Sequence, residues 1–270
     1  MKSQRRVVVA SVVASTIALA GCHSTDTTGP SSGNTLDLGP LIVEMGVGSG
    51  NVAGSLGVGG AAIPTMVPLV PSSCQYSAAV QGFTCATLTS NGITFNATFF
   101  LLDVSGHSQS QPDASTTAAF RTVADMSGTI KLDQAGSSGT MTLVSHQDQT
   151  LSGLLTGAHV LNGTTTTHTD LTLTAPYATH AVMDSKAVSA NVTLPKPGDS
   201  DHWPTSGTIT TDATSTTQFA SQSVTGTTHS VLTFNGSSTV TITSTISSDG
   251  SSFTTNCKIN LAGASVPVCT

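Results

Sequence analysis

The sequence predicts an all-β protein, an antiparallel up-and-down sheet curled into a sandwich or half-barrel. Three observations carry that expectation. Apolar residues recur at every second position in separate runs, the signature of half-buried strands. Asn-Gly and Asp-Gly pairs sit beside those runs, and both accept the positive φ of type I′ hairpin turns. Finally, only 8% of the 270 residues are charged, whereas Ser and the β-branched Thr are abundant. Thr suits a strand while keeping an outer face wet.

The alternation is clearest from residue 83 onward. Ile93, Phe95, Ala97 and Phe99 share a face before the run Phe100-Leu101-Leu102. Val188, Ala190, Val192 and Leu194 alternate with Ser189, Asn191 and Thr193, and Val240, Ile242 and Ile246 with threonines. Phe253, Thr255, Cys257, Ile259 and Leu261 form a mostly apolar face against Thr254, Asn256, Lys258 and Asn260. Turns are expected at Asn91-Gly92, Asn162-Gly163, Asn235-Gly236 and Asp249-Gly250, and at Ser152-Gly153 and Ser206-Gly207. About ten strands result, too many for one flat open sheet.

Four segments precede or make up this domain. Residues 1–21 read as a signal peptide: Lys2, Arg5 and Arg6 lead an uncharged apolar stretch from Val7 to Ala20. That stretch is shorter than the roughly 20 residues a spanning helix needs. It ends in Leu19-Ala20-Gly21-Cys22, which resembles the lipobox of bacterial lipoproteins. The resemblance implies cleavage before Cys22 and lipid on its thiol, hence a membrane as the first partner. His23 at the next position resembles lipoproteins sent to an outer membrane, so the expected location is the cell envelope. Residues 22–35 form a Ser, Thr, Gly and Pro tether with little to bury. Residues 36–73 are apolar but broken by glycines, which disfavour a long helix. Residues 74–270 are the all-β domain.

Charge narrows the partners. With Lys2, Arg5 and Arg6 removed, five basic residues face fourteen acidic ones, a net charge near −9. The remaining bases are scattered, so nucleic acid is not an expected partner.

Once Cys22 is lipidated, Cys74, Cys85, Cys257 and Cys269 remain, an even number in an exported chain. Three connectivities are open. Pairing Cys74 with Cys85 and Cys257 with Cys269 is favoured because each closes a short loop worth about 3 kcal/mol in the chain-entropy model. No Cys-x₂-Cys spacing supports a zinc site.

Several stretches carry a further resemblance. Cys74-Gln75-Tyr76-Ser77-Ala78-Ala79, Asn91-Gly92-Ile93-Thr94, Leu102-Asp103-Val104-Ser105-Gly106, Asp113 to Ala118, and Trp203-Pro204-Thr205-Ser206-Gly207-Thr208-Ile209 resemble an uncharacterised family of Thr-rich lipoproteins in gemmatimonad-type soil bacteria. The likeness runs from about Cys74 to Leu261. It implies a β-rich exported protein and no catalytic residue.

No constellation for chemistry stands out. The eight histidines lack a metal-binding spacing, and all read as tether, exposed strand or loop residues; His168 shares a face with Asp170, and His229 with Val231. The Gly-x-Ser-x-Gly spacing occurs only at Gly29 to Gly33, within the tether and not at a strand-to-helix elbow, and the sole glutamate, Glu44, lies in the Gly-rich segment. Asp199 and Asp201 fall short of a calcium loop, and Trp203 reads as a core cap before a strand. No cofactor or metal is therefore expected. The expected role is a non-catalytic structural or binding module of the envelope, with an unknown envelope partner or ligand. The alternative is a carrier of an apolar ligand, such as a lipid, in a cavity lined by Phe95, Phe99 and Leu101.

Overall fold

The computed structural model describes residues 74–269, apart from residue 91 and the segments 135–136, 176–177, 196–202, 220–221, 249 and 261–267. The expected signal peptide, Cys22, tether, Gly-rich segment and the Asp199 and Asp201 loop lie outside the described residues. So does His23.

Every regular element described is a strand. In chain order they are β1 (Cys74–Ser77), β2 (Gly82–Cys85), β3 (Leu88–Ser90), β4 (Ile93–Leu102), β5 (Ser108–Gln109), β6 (Ala119–Gln134), β7 (Ser137–Ser152), β8 (Val160–Ala175), β9 (Thr179–Thr193), β10 (Ser206–Phe219), β11 (Gln222–Thr233), β12 (Thr239–Ser248), β13 (Ser251–Asn260) and β14 (Val268–Cys269). All pairings are antiparallel, and the main order is β1-β2-β4-β6-β7-β8-β9-β10-β11-β12-β13-β14, with β3 and β5 also on β4. From β6 to β14 each strand lies beside its predecessor, so the meander expected from the turn signals is present. The sheet is open, because its outermost strands β1 and β14 do not pair with each other.

Four central strands are much longer than the sequence suggests. β6, β7 and β8 each have 16 residues and β9 has 15, about 50 Å of extended chain. In β8 the pattern reads weakly in sequence because Thr164, Thr165, Thr166 and Thr167 fall on both faces.

Register separates the two faces. On one, Phe95 lies opposite Met126, Ala97 opposite Ala124, and Leu101 opposite Phe120, which in turn faces Leu151. Phe99, on the same face, stacks against Phe120 at 5.4 Å between ring centroids. Buried residues concentrate at one end of the strands, where Leu101, Leu151, Val192, Ile209, Leu232 and Val240 are almost fully enclosed. At this apolar end Ile209 faces Leu232, Leu232 faces Ile242, and Ile242 faces Cys257. Further along the same face the buried positions turn polar, with Ser145 sharing a hydroxyl hydrogen bond with Thr167 at 3.2 Å.

Three turn expectations need correction, two because of a bulge and one because of an Asx turn. Asn162-Gly163 lies inside β8 and Ser206-Gly207 inside β10, at the places where the registers of β8 with β9 and of β9 with β10 slip by one residue. Asn191, at φ 51°, is the extra residue of β9, and its N–H donates to Asn162 Oδ1 at 2.7 Å. Gly207 has φ 98°, and a Cβ there would stand 2.3 Å from the Asn191 carbonyl oxygen, so a bare backbone is required. The slip changes side-chain parity: Val188 and Ala190 point to the polar face with Thr210 and Thr208, while Val192 is carried to the other face opposite Leu161 and is fully buried. The simple alternation expected for Val188 to Leu194 is thus broken in the middle. The third correction is at Asn235-Gly236. Gly236 has φ 79°, but Asn235 does not have the positive φ a type I′ turn needs. Instead Asn235 Oδ1 accepts from the N–H and Oγ of Ser237, closing an Asx turn. Gly92, Gly153 and Gly250 do take the positive φ expected of their turns.

Cys74 and Cys85 are directly opposed in β1 and β2 and form a disulfide. The backbone register sets Cys257 opposite Cys269 in β13 and β14. Trp203 is half-buried just before β10, next to the fully buried Pro204.

Candidate functional site

The second face carries the titratable groups. Reading the register across the sheet, Asn96 pairs with Asp125, Asp125 with His146, His146 with Thr166, and Thr166 with Lys186. Lys186 pairs with Asp212, Asp212 with His229, His229 with Thr245, and Thr245 with Thr254. The result is one polar row, a belt, crossing nine strands from β4 to β13 at right angles to their direction. Every member is exposed except the half-buried Thr245. Such a row follows from the pleat: residues in register across neighbouring antiparallel strands share a face, so one polar residue at the right parity in each strand builds a line.

A parallel row lies two residues along, with His168 opposite Asp184, Asp184 opposite Thr214, and Thr214 opposite Thr227. The two rows together line a groove of about 690 Å³ running across β7 to β12, with Val144, His146, His168, Asp184, Lys186, Asp212 and His229 on its wall among threonines.

Within this face the histidines and aspartates are paired across strands. His146 Nδ1 lies 2.8 Å from Asp125 Oδ1, His168 Nδ1 2.7 Å from Asp184 Oδ1, and His229 Nδ1 2.6 Å from Asp212 Oδ1. An ionised carboxylate only accepts, so each imidazole donates its Nδ1–H and turns Nε2 toward solvent. His180 uses the other nitrogen, Nε2, on Asp170 Oδ1 at 3.0 Å. Arg121 closes the set with a bidentate grip on Asp148, Nε to Oδ1 at 2.8 Å and an Nη to Oδ2 at 2.6 Å. Its guanidinium also sits 5.4 Å from the centre of the Phe100 ring. The Arg121 hydrogen bonds hold the Asp148 carboxyl below the usual carboxylate range, and Asp148 in turn raises Arg121.

Sequence reading correctly put His168 with Asp170, and His229 with Val231, on one face. It missed that His168 pairs with Asp184 and Asp170 with His180. The signal was available in principle: His168 and Asp184 are equidistant from the connection between β8 and β9, as are Asp212 and His229 about that between β10 and β11, and Asp125 and His146 about that between β6 and β7. Mirror symmetry about a tight turn places residues opposite each other.

His159 is a further correction. The sequence reads it as an exposed strand or loop residue, yet it is buried at 6% exposure, and its Nδ1 has no hydrogen-bond partner. Its carbonyl accepts the Leu194 N–H at 2.9 Å, which ties it to the apolar end, and burial pushes its imidazole below the usual histidine range. His107, by contrast, is exposed in a loop where Asp103 Oδ1 accepts the backbone N–H groups of His107 and Ser105. Those donors, His107 foremost, hold the Asp103 carboxyl below its ordinary value.

Among the described residues no group of three or more His, Cys, Asp or Glu side chains comes together as a metal site. Asp125, Asp148, Asp170, Asp184 and Asp212 instead each hydrogen-bond one arginine or histidine side chain. Chemically the face offers hydroxyls, carboxylate oxygens and imidazole nitrogens at the strand spacing. No family model, curated protein or solved structure matches the chain.

Proposed function

We propose that this chain is an exported lipoprotein, held in the cell envelope by lipid on Cys22, whose sheet is a non-catalytic binding module presenting the polar belt. The observation that carries the reading is the continuous belt with its groove over β7 to β12. Long strands hold these exposed polar groups at fixed spacings, the preorganisation that a recognition surface requires. The anchor rests on the charged, apolar and Leu19-Ala20-Gly21-Cys22 order of the first residues. The likeness to Thr-rich gemmatimonad-type lipoproteins agrees with it.

We also read the sheet as a half-barrel. Support comes from the single continuous strand order, in which no strand leaves for a second layer, together with the gathering of large apolar side chains at one end of one face. Two opposed cysteine pairs, Cys74 with Cys85 and Cys257 with Cys269, then pin the outermost strands at both open edges. The second reading, carriage of an apolar ligand, has thinner support: Phe95 and Leu101 are already buried, and Phe99 is stacked on Phe120.

Intact mass of protein extracted from the membranes of a bacterial host tests the anchor. The expected species starts at Cys22 and carries acyl chains, while Cys22→Ala releases the protein from membranes. An unmodified mass refutes the reading.

A further inference from the structure

The groove has a direction, and direction constrains the ligand. It runs across six strands, and adjacent strands lie about 4.8 Å apart, so its floor presents one side chain per strand in each row, at a constant spacing, over roughly 24 Å. That repeat is close to the length of one pyranose ring in an extended chain. A linear polysaccharide laid across the strands therefore meets one strand per sugar. A peptide has the wrong repeat in this direction, and a peptide adding to a sheet docks along an edge strand, not across a face.

The groups along the floor fit hydroxyl-bearing rings. Thr214 and Thr227 face each other in mid-groove, and each hydroxyl both donates and accepts. Asp184 and Asp212 spend Oδ1 on a histidine, and no hydrogen bond to their Oδ2 is among those described, leaving it open to a sugar hydroxyl. Charge selects further. Lys186 is the one Lys or Arg among the described residues of the groove wall and stands against two carboxylates, Asp184 and Asp212, so a polyanion finds no surplus of positive charge there. The net charge near −9 of the cleaved chain adds long-range repulsion against polyanions. No Phe, Tyr or Trp is among the described residues that line the groove, so recognition is by hydrogen bonding along a length.

We propose that this groove binds an extended, uncharged linear polysaccharide, one sugar per strand across β7 to β12. The inference rests on the binding role proposed above and names its ligand class.

The test is calorimetric titration of the purified protein, in detergent if it is lipidated, with cello-oligosaccharides of increasing length. Affinity is expected to rise at least roughly tenfold from trimer to hexamer, because each added ring engages a further strand at high effective concentration, and then to level off. Oligogalacturonate of equal length is expected to bind more weakly. The double variant Thr214→Val, Thr227→Val keeps β-branched shape and removes two hydroxyls; a loss of about tenfold is expected, in line with two or so forfeited hydrogen bonds. Thr216→Val with Thr225→Val, the hydroxyl pair one row beyond the groove, is expected to bind as the wild type does, and circular dichroism of both variants checks the fold. Affinity independent of length, preference for a charged oligomer, or equal loss from both double variants overturns the proposal. If no oligosaccharide binds but the protein is retained on crude envelope material, the glycan inference fails and the binding role stands; retention of neither removes both.

Discussion

The apolar end of the sheet and the polar belt are built from the same strands and differ in what each side chain is asked to do. At the apolar end, Leu232 at 1% exposure and Val240 at 0% are surrounded by protein. In the belt, one residue away in parity, the imidazole of His229 is 54% exposed and the carboxylate of Asp212 65%. Burial of a large aliphatic side chain stabilises by roughly 1.5–3 kcal/mol, whereas an exposed ion pair contributes about 0–1 kcal/mol. Stability therefore resides at one end of one face, and the other face is free to be specified by what it contacts.

That contrast can be broken most forcefully at the apolar end. Leu232→Ala is expected to cost about 2–5 kcal/mol in urea unfolding, since it opens a cavity among Ile209, Ile242 and their neighbours; a cost under about 1 kcal/mol would show that this end is loosely packed. Next comes the β1 and β2 edge. Replacing Cys74 and Cys85 by Ser is expected to remove about 2–3 kcal/mol, because the bridge closes a short loop. A change confined to local protection of β1, read by hydrogen exchange, would mean that the edge folds apart from the rest.

Smaller effects follow from titration. His159 has its pKa lowered by burial, so the unfolded chain binds its proton more readily than the folded one does. The protein gains nothing from this group above the unfolded value near 6.5 and loses stability as pH falls below it, toward the depressed folded value. His159→Phe, measured by urea midpoint between pH 7 and 5, is expected to flatten that part of the profile; an unchanged slope would place the loss elsewhere. Asp148 works in the carboxylate range. Its pKa is depressed by Arg121, so its contribution is present above the unfolded value near 3.9 and disappears as pH falls through the folded one. Because both side chains are more than a third exposed, Arg121→Leu is expected to cost only about 0.5–1 kcal/mol at neutral pH. The smallest expected change is in the belt itself: Asp125→Asn should alter stability by less than about 0.5 kcal/mol. A larger loss there would make the belt part of the scaffold and weaken its reading as a binding face.

The corrections show how far local pattern reaches. Gly92, Gly153, Gly236 and Gly250 were legible as turn residues because each sits between alternating runs and needs positive φ. Asn162-Gly163 and Ser206-Gly207 have the same composition, yet they serve a bulge, since only the neighbouring strand's register distinguishes an extra residue from a reversal. Val192 illustrates the consequence. Strict alternation puts it with Val188, but the bulge at Asn191 turns it to the opposite face and into the most enclosed position of β9.

By itself the sequence determined the all-β class, the antiparallel meander and the apolar identity of one face, because period-two alternation and turn chemistry act over a few residues. Only the tertiary structure decided the belt. Asp125 and His146 are 21 residues apart, Asp212 and His229 are 17 apart, and the two pairs join into one row solely through Thr166 and Lys186 on the strands between. A single row across nine strands depends on every intervening register at once, and a slip of one residue in any strand would send its member to the other face. Local composition does not fix registers over such separations; the packed apolar end and the bulge do.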